Sequence, residues 1–547
     1  MPSRRLPAFA RLRAASLAPL SLLVLATAAC RREPPPPIVV ISVDTLRADR
    51  LPAYGYRQGA TPALDRLARD SVVFDAAYTH YPLTLPAHVS AFTGLLPPNH
   101  GVRDNVGYPL DAAAHPPIQQ RLAAAGWATG GFVSSFVLRK ETGFAAGFGS
   151  WDEPAAPARG APMDSAQRAA TATLAPALDW LGRREEGPFF LFFHLYEPHA
   201  PYTPPEPFAA RHADPYDGEV EAADAAIGTL IERLRAEGLY DRAVVVLMSD
   251  HGEGLGDHGE LQHGVFLYRS TLRVALMVKL PGQRRAGERV ARPVGLVDLA
   301  PTLARLARVD PGAGLDGRDL LAPDPDGESA RGLYAETYYP RLHFGWSDLA
   351  AMIEPRWYFI RGPQPELFDL DADPGLARDV LAANRGEYAR LRRRVEEIDR
   401  PLAEPQGVDE ETAQRLAALG YLSAGNRTAD LDLPDPKTQR HLLAGIEAGL
   451  SAFWAGRDAE AARHFETVLA ANPSMADIWA YLARAHDRRG DKRAGLAAWE
   501  RVLELSGGMG TVALTVGEHY LELGNPEQAA RLADGERHGA HAPGQLE

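Results

Sequence analysis

Between residue 38 and about residue 280, short apolar runs alternate with longer stretches of helical period. Ile38 to Val43, Phe189 to Leu195 and Ala243 to Met248 are nearly unbroken runs rich in β-branched or aromatic residues, the pattern of strands covered on both faces. Helical patterns at 164–181 and 219–234 lie between them, so strands alternate with helices and a mostly parallel sheet is predicted. In such a sheet the chemistry lies beyond the carboxyl ends of the strands. Those ends carry Asp44, then Glu197 and His199, then Asp250 and His251, a carboxylate at each and imidazoles at two. That is a donor set suited to a metal.

The pattern changes after residue 437. Gly456, Gly490 and Gly524 recur at intervals of 34, each followed by a polar turn and an Ala-rich amphipathic stretch. This is the tetratricopeptide period of helix, turn and helix, predicted here over 438–539. Trp454, Phe465, Trp479, Tyr481, Trp499 and Tyr520 are read as repeat core. About three repeats is near the minimum for stability, so the region is expected to pack on the catalytic domain or a protein partner. The segment 426–437 is read as a linker and 540–547 as a disordered tail.

Composition narrows the classes. A chain of 547 residues, 46% hydrophobic and 24% charged, can bury a large core and is not disordered as a whole. Its 71 acidic residues outnumber 58 Lys and Arg, and no long basic run follows the first segment, so no nucleic-acid partner is expected. Cys30 is the only cysteine, which excludes an internal disulfide framework and any multi-cysteine metal site. Residues 1–29 run from a basic start at Arg4, Arg5, Arg11 and Arg13 to an apolar stretch ending Ala28-Ala29-Cys30, the form of an export signal. The end of that stretch resembles a lipoprotein signal. Lipidation of Cys30, anchoring to a membrane of the bacterial envelope or periplasm and a Pro-rich spacer over 30–37 are the resulting expectations.

Thr84 opens a helical stretch whose Pro86 suits a first turn, and a hydroxyl there sits in positive potential; the same pattern equally fits a plain helix cap. Six ordered blocks resemble those of the sulfatase family of the alkaline phosphatase superfamily. They are 43–49 (Val-Asp-Thr-Leu-Arg-Ala-Asp), 61–68, Thr93-Gly94 with 98–102, 197–202 (Glu-Pro-His-Ala-Pro-Tyr), 249–253 (Ser-Asp-His-Gly-Glu) and 366–370. The resemblance implies a doubly wound, mostly parallel α/β catalytic domain over 38–425 with a smaller C-terminal α+β subdomain. It also implies a divalent metal and hydrolysis or transfer at a sulfuryl or phosphoryl centre of an anionic ester. The departures are informative. The family places a cysteine or serine, matured to formylglycine, at the start of C/S-x-P-x-R, where this chain has Thr84 and His88, and its paired aspartates are reduced to Asp44 with Thr45. These changes resemble the superfamily's phosphodiesterases and phosphoethanolamine or glycerolphosphate transferases.

That resemblance carries over Asp44, Thr84, Asp250 and His251 as ligands of one ion, zinc with calcium or manganese as alternatives, and Thr84 as nucleophile. His199 resembles the histidine that touches the anion. His263 has three roles open to it: binding the anion, protonating the leaving group, or holding a second metal or the substrate with Glu197 and His199, where Asp257 and His258 compete with it. One ion is preferred over two. Arg47, His88 and Asn105 are pocket or supporting residues. The reading is an exported, metal-dependent phosphoester hydrolase. Its rivals are a phosphoethanolamine- or glycerolphosphate-type transferase, a true sulfuric ester hydrolase and an inactive tetratricopeptide scaffold.

Overall fold

The apolar runs become strands sealed on both faces. In chain order the main sheet comprises Ile38–Val43 (β1), Val72–Phe74 (β2), Ala128–Phe132 (β3), Ser150–Asp152 (β4), Phe189–Leu195 (β5), Val244–Ser249 (β6), Leu276–Lys279 (β7) and Arg289–Val290 (β8). Their spatial order is β8-β2-β7-β6-β1-β5-β3-β4. The structure is a computed structural model that describes residues 34–155, 167–323, 331–405, 432–506 and 510–539. The export signal, Cys30, the end of the catalytic domain beyond 405, the linker up to 431 and the tail 540–547 lie outside the described residues.

β1 runs parallel to both of its neighbours, with Val43 level with Leu195 of β5 and with Ser249 of β6. Three strands therefore end at the same height, and the residues that follow them gather along one sheet edge. Only β7 runs against this direction in the middle of the sheet. Alternation along β1 divides the core in two. Ile38 and Val40 pack with Leu85, Val89 and Phe92 of Thr84–Thr93 (α1), whereas Val39, Ile41 and Val43 pack with Leu174 and Leu181 of Ala170–Arg183 (α2) and Ile227 and Leu230 of Pro215–Ala236 (α3). Helices thus cover both faces, the doubly wound arrangement, and each fully buried Val or Ile contributes about 1.5–3 kcal/mol.

A second sheet of Leu333–Thr337 (β9), Leu349–Ile353 (β10), Trp357–Arg361 (β11) and Glu366–Asp369 (β12) is antiparallel throughout. Leu391 and Val395 of Arg385–Ile398 (α4) cover it through Met352 and Phe359. This is the smaller α+β unit.

Six helices follow: Arg440–Trp454 (α5), Asp458–Ala471 (α6), Ala476–Arg488 (α7), Lys492–Leu505 (α8), Gly510–Glu522 (α9) and Pro526–Gly539 (α10). The tight turns within the successive pairs pass through Gly456, Gly490 and Gly524 at φ of 72°, 78° and 77°, a conformation that side chains with a Cβ rarely adopt. The region is docked on the catalytic unit. Ile446, Phe465 and Tyr481 share one apolar cluster with Phe344 and Trp346. Polar ties reinforce it: Leu261 N donates to Glu447 Oε1 at 2.8 Å, Asn472 Nδ2 to Phe344 O at 3.0 Å, and Arg440 Nη2 to Tyr268 OH at 2.8 Å.

A further tie is ionic and buried. His343 Nε2 meets Asp104 Oδ2 at 2.9 Å and its Nδ1 meets Asp477 Oδ2, so one imidazolium bridges the loop of Asp104 to α7. Burial works against its charge, but the two carboxylates prevail and push it up to about 10. These partners are gained on folding, so the contribution is complete below the ordinary imidazole value of about 6.5 and is lost as pH climbs through about 10. Thermal melts between pH 6.5 and 10 should show Tm falling more steeply for the wild type than for His343→Gln. Parallel slopes would remove the histidine from the docking contact.

Candidate active site

Asp44 and Asp250 each stand directly after a central parallel strand, β1 and β6, with no accessible surface. Asp250 Oδ1 accepts from the backbone N–H groups of His251 at 2.8 Å and Thr45 at 3.3 Å. Its Oδ2 has no hydrogen-bond partner, and neither does Asp44 Oδ1. The imidazole between them is already oriented. His251 Nδ1 lies 3.0 Å from Gly252 O and must donate to it, which leaves Nε2 as a bare lone pair. That atom lies 3.5 Å from both Asp44 Oδ1 and Asp250 Oδ2 and is itself without a partner.

Three buried acceptors thus face one another across a volume the size of an ion. Burial, and then each other's charge, hold Asp44 well above the ordinary carboxylate range, and burial pushes Asp250 up to about 6. Such an arrangement is unfavourable unless protons or a cation fill it. The donor types, two hard oxygens and one imidazole, fit a divalent metal.

Thr84 completes the set. It is the first residue of α1, the flanking position being Leu83, and its Oγ1 donates toward Asp44 Oδ2 at 3.4 Å. Leu85 N, free at the helix start, donates to Asn105 Oδ1 at 2.9 Å, so Asn105 anchors the helix end that carries Thr84. Local backbone serves the same purpose. Thr45 adopts φ 53°, which costs a β-branched residue about 1–3 kcal/mol, and in doing so directs its N–H at Asp250 and its hydroxyl at Pro198 O. Gly252 is required because a Cβ there would come within 2.0 Å of Ser270 O.

Some expected pocket residues stand elsewhere. His88 is fully buried behind Thr84; its Nδ1 donates to Thr84 O at 2.7 Å, its Nε2 accepts from Ser42 Oγ at 2.8 Å, and its ring packs on Phe144 and Phe192. It braces the Thr84 backbone from the core and is closed off from the site's open side. Arg47 holds the carbonyls of Glu253 and Gly254 at 3.2 and 3.1 Å and pairs with Asp49 and Asp257, lining a separate charged pocket. His258 lies in that pocket, stacked on Tyr268 with ring centres 3.8 Å apart.

The four residues weighed for a second ion do not converge either. Glu197 accepts from Ala170 N with both oxygens, at 2.8 and 3.1 Å, and so caps α2. Only His199 and His263 remain neighbours, with ring centres 5.1 Å apart, and His263 lies 4.3 Å from His251 on the same measure.

Two residues were missed. Glu253 has no accessible surface and joins His263 Nδ1 at 3.0 Å and Tyr202 OH at 2.9 Å; burial pushes it up to about 7. His194, fully buried in β5 with neither ring nitrogen hydrogen-bonded, places Nε2 3.8 Å from Asp44 Oδ2 and clusters with His88 and Asp250. Its sequence signal was one histidine inside a strand of phenylalanines and leucines, and that of Glu253 was its place two residues after His251.

The family model for Sulfatase matches residues 36–309, which spans every residue of this site and half of the chain. The chain belongs to the sulfatase family. It is accordingly a hydrolase of esters, in a family whose members generally bind a divalent metal ion. Human arylsulfatase A is 28% identical over 361 residues, which cover 55% of this chain and 70% of that protein. Rat steryl-sulfatase is 32% identical over 158 residues, 26% of this chain and 27% of that enzyme. Among solved structures, the phosphonate monoester hydrolase of Agrobacterium radiobacter shares the fold with TM-score 0.56 at 21% identity, over 66% of this chain and 95% of that one.

For this sulfatase-family site, Asp44→Ala and Asp250→Ala should each lower bound divalent metal by about tenfold or more, because two donors cannot hold the ion that three converge on. Elemental analysis checks this, and undiminished metal in both variants would place the ion elsewhere.

Proposed function

We propose that this chain is a metal-dependent hydrolase of phosphoesters that uses Thr84 as its nucleophile. The observation that carries the reading is the threonine hydroxyl at the start of a buried helix, 3.4 Å from the carboxylate of Asp44, which with Asp250 and His251 turns bare lone pairs to one point. A threonine cannot mature to formylglycine, so the route by which family members with cysteine or serine release sulfate is closed here. A phosphorylated threonine needs no such route, since water can attack it directly.

Asp44 Oδ1, Asp250 Oδ2 and His251 Nε2 would hold the ion. When bound, a divalent ion supplies Lewis acidity and stabilises the alkoxide of a nearby hydroxyl. Thr84 Oγ1 passes its proton to Asp44 Oδ2 and forms a bond to phosphorus as the bond to the leaving oxygen breaks. The helix N-terminus and His199 face the anion. Glu253, raised to about 7, and His263, held at about 3 by burial, are most stable as neutral acid and neutral imidazole. Glu253 then donates to His263 Nδ1, and as its proton passes to Nδ1 the hydrogen on Nε2 passes to the departing oxygen, leaving Glu253 as the carboxylate. Water attack on the phosphothreonine returns the enzyme. The fold is shared with a protein named a phosphonate monoester hydrolase, which supports a phosphorus centre at this site. Export with lipid attachment at Cys30, and a tetratricopeptide character for 438–539, belong to the same proposal and rest on the sequence patterns.

Thr84→Ala should lose about a thousandfold or more in kcat while melting within a few degrees of wild type. A folded alanine variant with full turnover would defeat the assignment. In a separate comparison at equal leaving group and pH, the metal-loaded wild type should show higher kcat/KM on an aryl phosphate than on the matching aryl sulfate; clear preference for sulfate would return the chain to sulfate ester chemistry.

A further inference from the structure

A cleft of about 90 Å³ lies beside this site, lined by His199 and His263 but by neither Thr84 nor the three converging donors. On one side stand Leu83, adjacent to the nucleophile, with His199 and His263. The opposite wall comes from the helical region: Ile446, Leu450 and Trp454 from α5, and Ile478 and Tyr481 from α7. The first three recur at intervals of four and so form one stripe along α5. Trp454 and Tyr481, expected as repeat core, therefore also serve the cleft, although Tyr481 still packs on Phe453 and Phe465.

The wall is fixed rather than loosely apposed. Glu447, on α5, accepts from Leu261 N two residues before His263, and Asp477, on α7, is bound through His343 to Asp104. The chemistry of the lining is restrictive. Among the described residues it contains no Lys or Arg; its charged pair, His343 and Asp477, is committed to itself and to Asp104, and its other polar members, Tyr196, Gln262 and Tyr339, stand beside His199, His263 and His343, so that the apolar part of the lining is the face from α5 and α7. A sugar chain rich in hydroxyls or further sulfates would leave many polar groups without partners on such a surface, whereas an apolar group would be covered.

We propose that the helical region is a working wall of the active site, and that its α5 and α7 face binds the apolar organic part, an aryl ring or alkyl chain, of an anionic ester substrate. This rests on the catalytic reading above for the position of the anion. The region is then a determinant of substrate choice built into the enzyme, not a scaffold displayed for another protein.

The test measures binding by calorimetry, which does not depend on turnover. Ethyl-, butyl-, hexyl- and octylphosphonate are titrated into the full-length, metal-containing protein, with the non-hydrolysable phosphonate analogue of glucose 6-phosphate as the polar comparator. Affinity should rise about threefold for each methylene the cleft covers, which is about 30-fold between ethyl and octyl once three of the six added methylenes are covered, with the sugar phosphonate no tighter than the ethyl compound. Trp454→Ala and, independently, Leu450→Ala should each weaken octylphosphonate about five- to tenfold and ethylphosphonate less than about twofold. Equal affinity for ethyl and octyl in the wild type, tighter binding of the sugar phosphonate, or an unchanged gradient in both variants would overturn the proposal. The two readings fail separately: a gradient that depends on Trp454 in a protein whose Thr84→Ala variant keeps full turnover leaves the wall standing and removes the nucleophile. Efficient phosphoester cleavage with no gradient does the reverse.

Discussion

Two carboxylates and an imidazole, all fully buried, turn unshared lone pairs toward one point. Nothing in the protein's own hydrogen bonding relieves that convergence, since the remaining atom of each group is already used to aim it: Asp250 Oδ1 by two backbone amides, His251 Nδ1 by a carbonyl, Asp44 Oδ2 by the Thr84 hydroxyl. The rest of the site follows from this constraint. A charge is expected at the point where the lone pairs meet, and the groups that would feel it most are the threonine hydroxyl and whatever anion approaches it.

The support for this point is spread through the fold. β1 stands between β5 and β6 in level parallel register, so the turns after three strands compete for the same space. Thr45 and Gly252 resolve the crowding in the backbone, one by adopting a left-handed conformation and the other by having no side chain. His88 and Asn105 then fix the start of α1 from opposite sides, the histidine through the Thr84 carbonyl and the asparagine through the Leu85 amide. Neither needs to contact a substrate to matter. Losing either would leave a buried polar group unpaired next to Thr84, which costs about 1–3 kcal/mol.

The helical region enters the same scheme from outside the sheet. It shares an apolar cluster with the second sheet and places acidic side chains on the loop that carries His263 and on the His343 bridge. An appended module held only by an exposed linker could not shape a catalytic cleft. One held by a buried imidazolium between two aspartates can, because separating the two parts would expose or strand three charges together.

Much of this was legible in the chain itself. Unbroken β-branched runs require strands covered on both faces, and their alternation with helices requires a parallel sheet, so the edge at which Asp44, Asp250 and His251 appear follows from periodicity alone. The 34-residue spacing of three glycines likewise marks the helical pairs, because a left-handed turn needs a residue without a Cβ. Spacing says nothing of side-chain direction, however. Tertiary packing alone decided that His88 faces the core, that Glu197 caps a helix, that Arg47 and His258 line a different pocket, and that His194 and Glu253 stand at the site. It also decided that an amphipathic stripe on α5 lines one cleft with His199 and His263. The physical reason is that strand and helix periods are local properties of the backbone, whereas the partner a buried polar atom finds depends on which distant segment fills the space beside it.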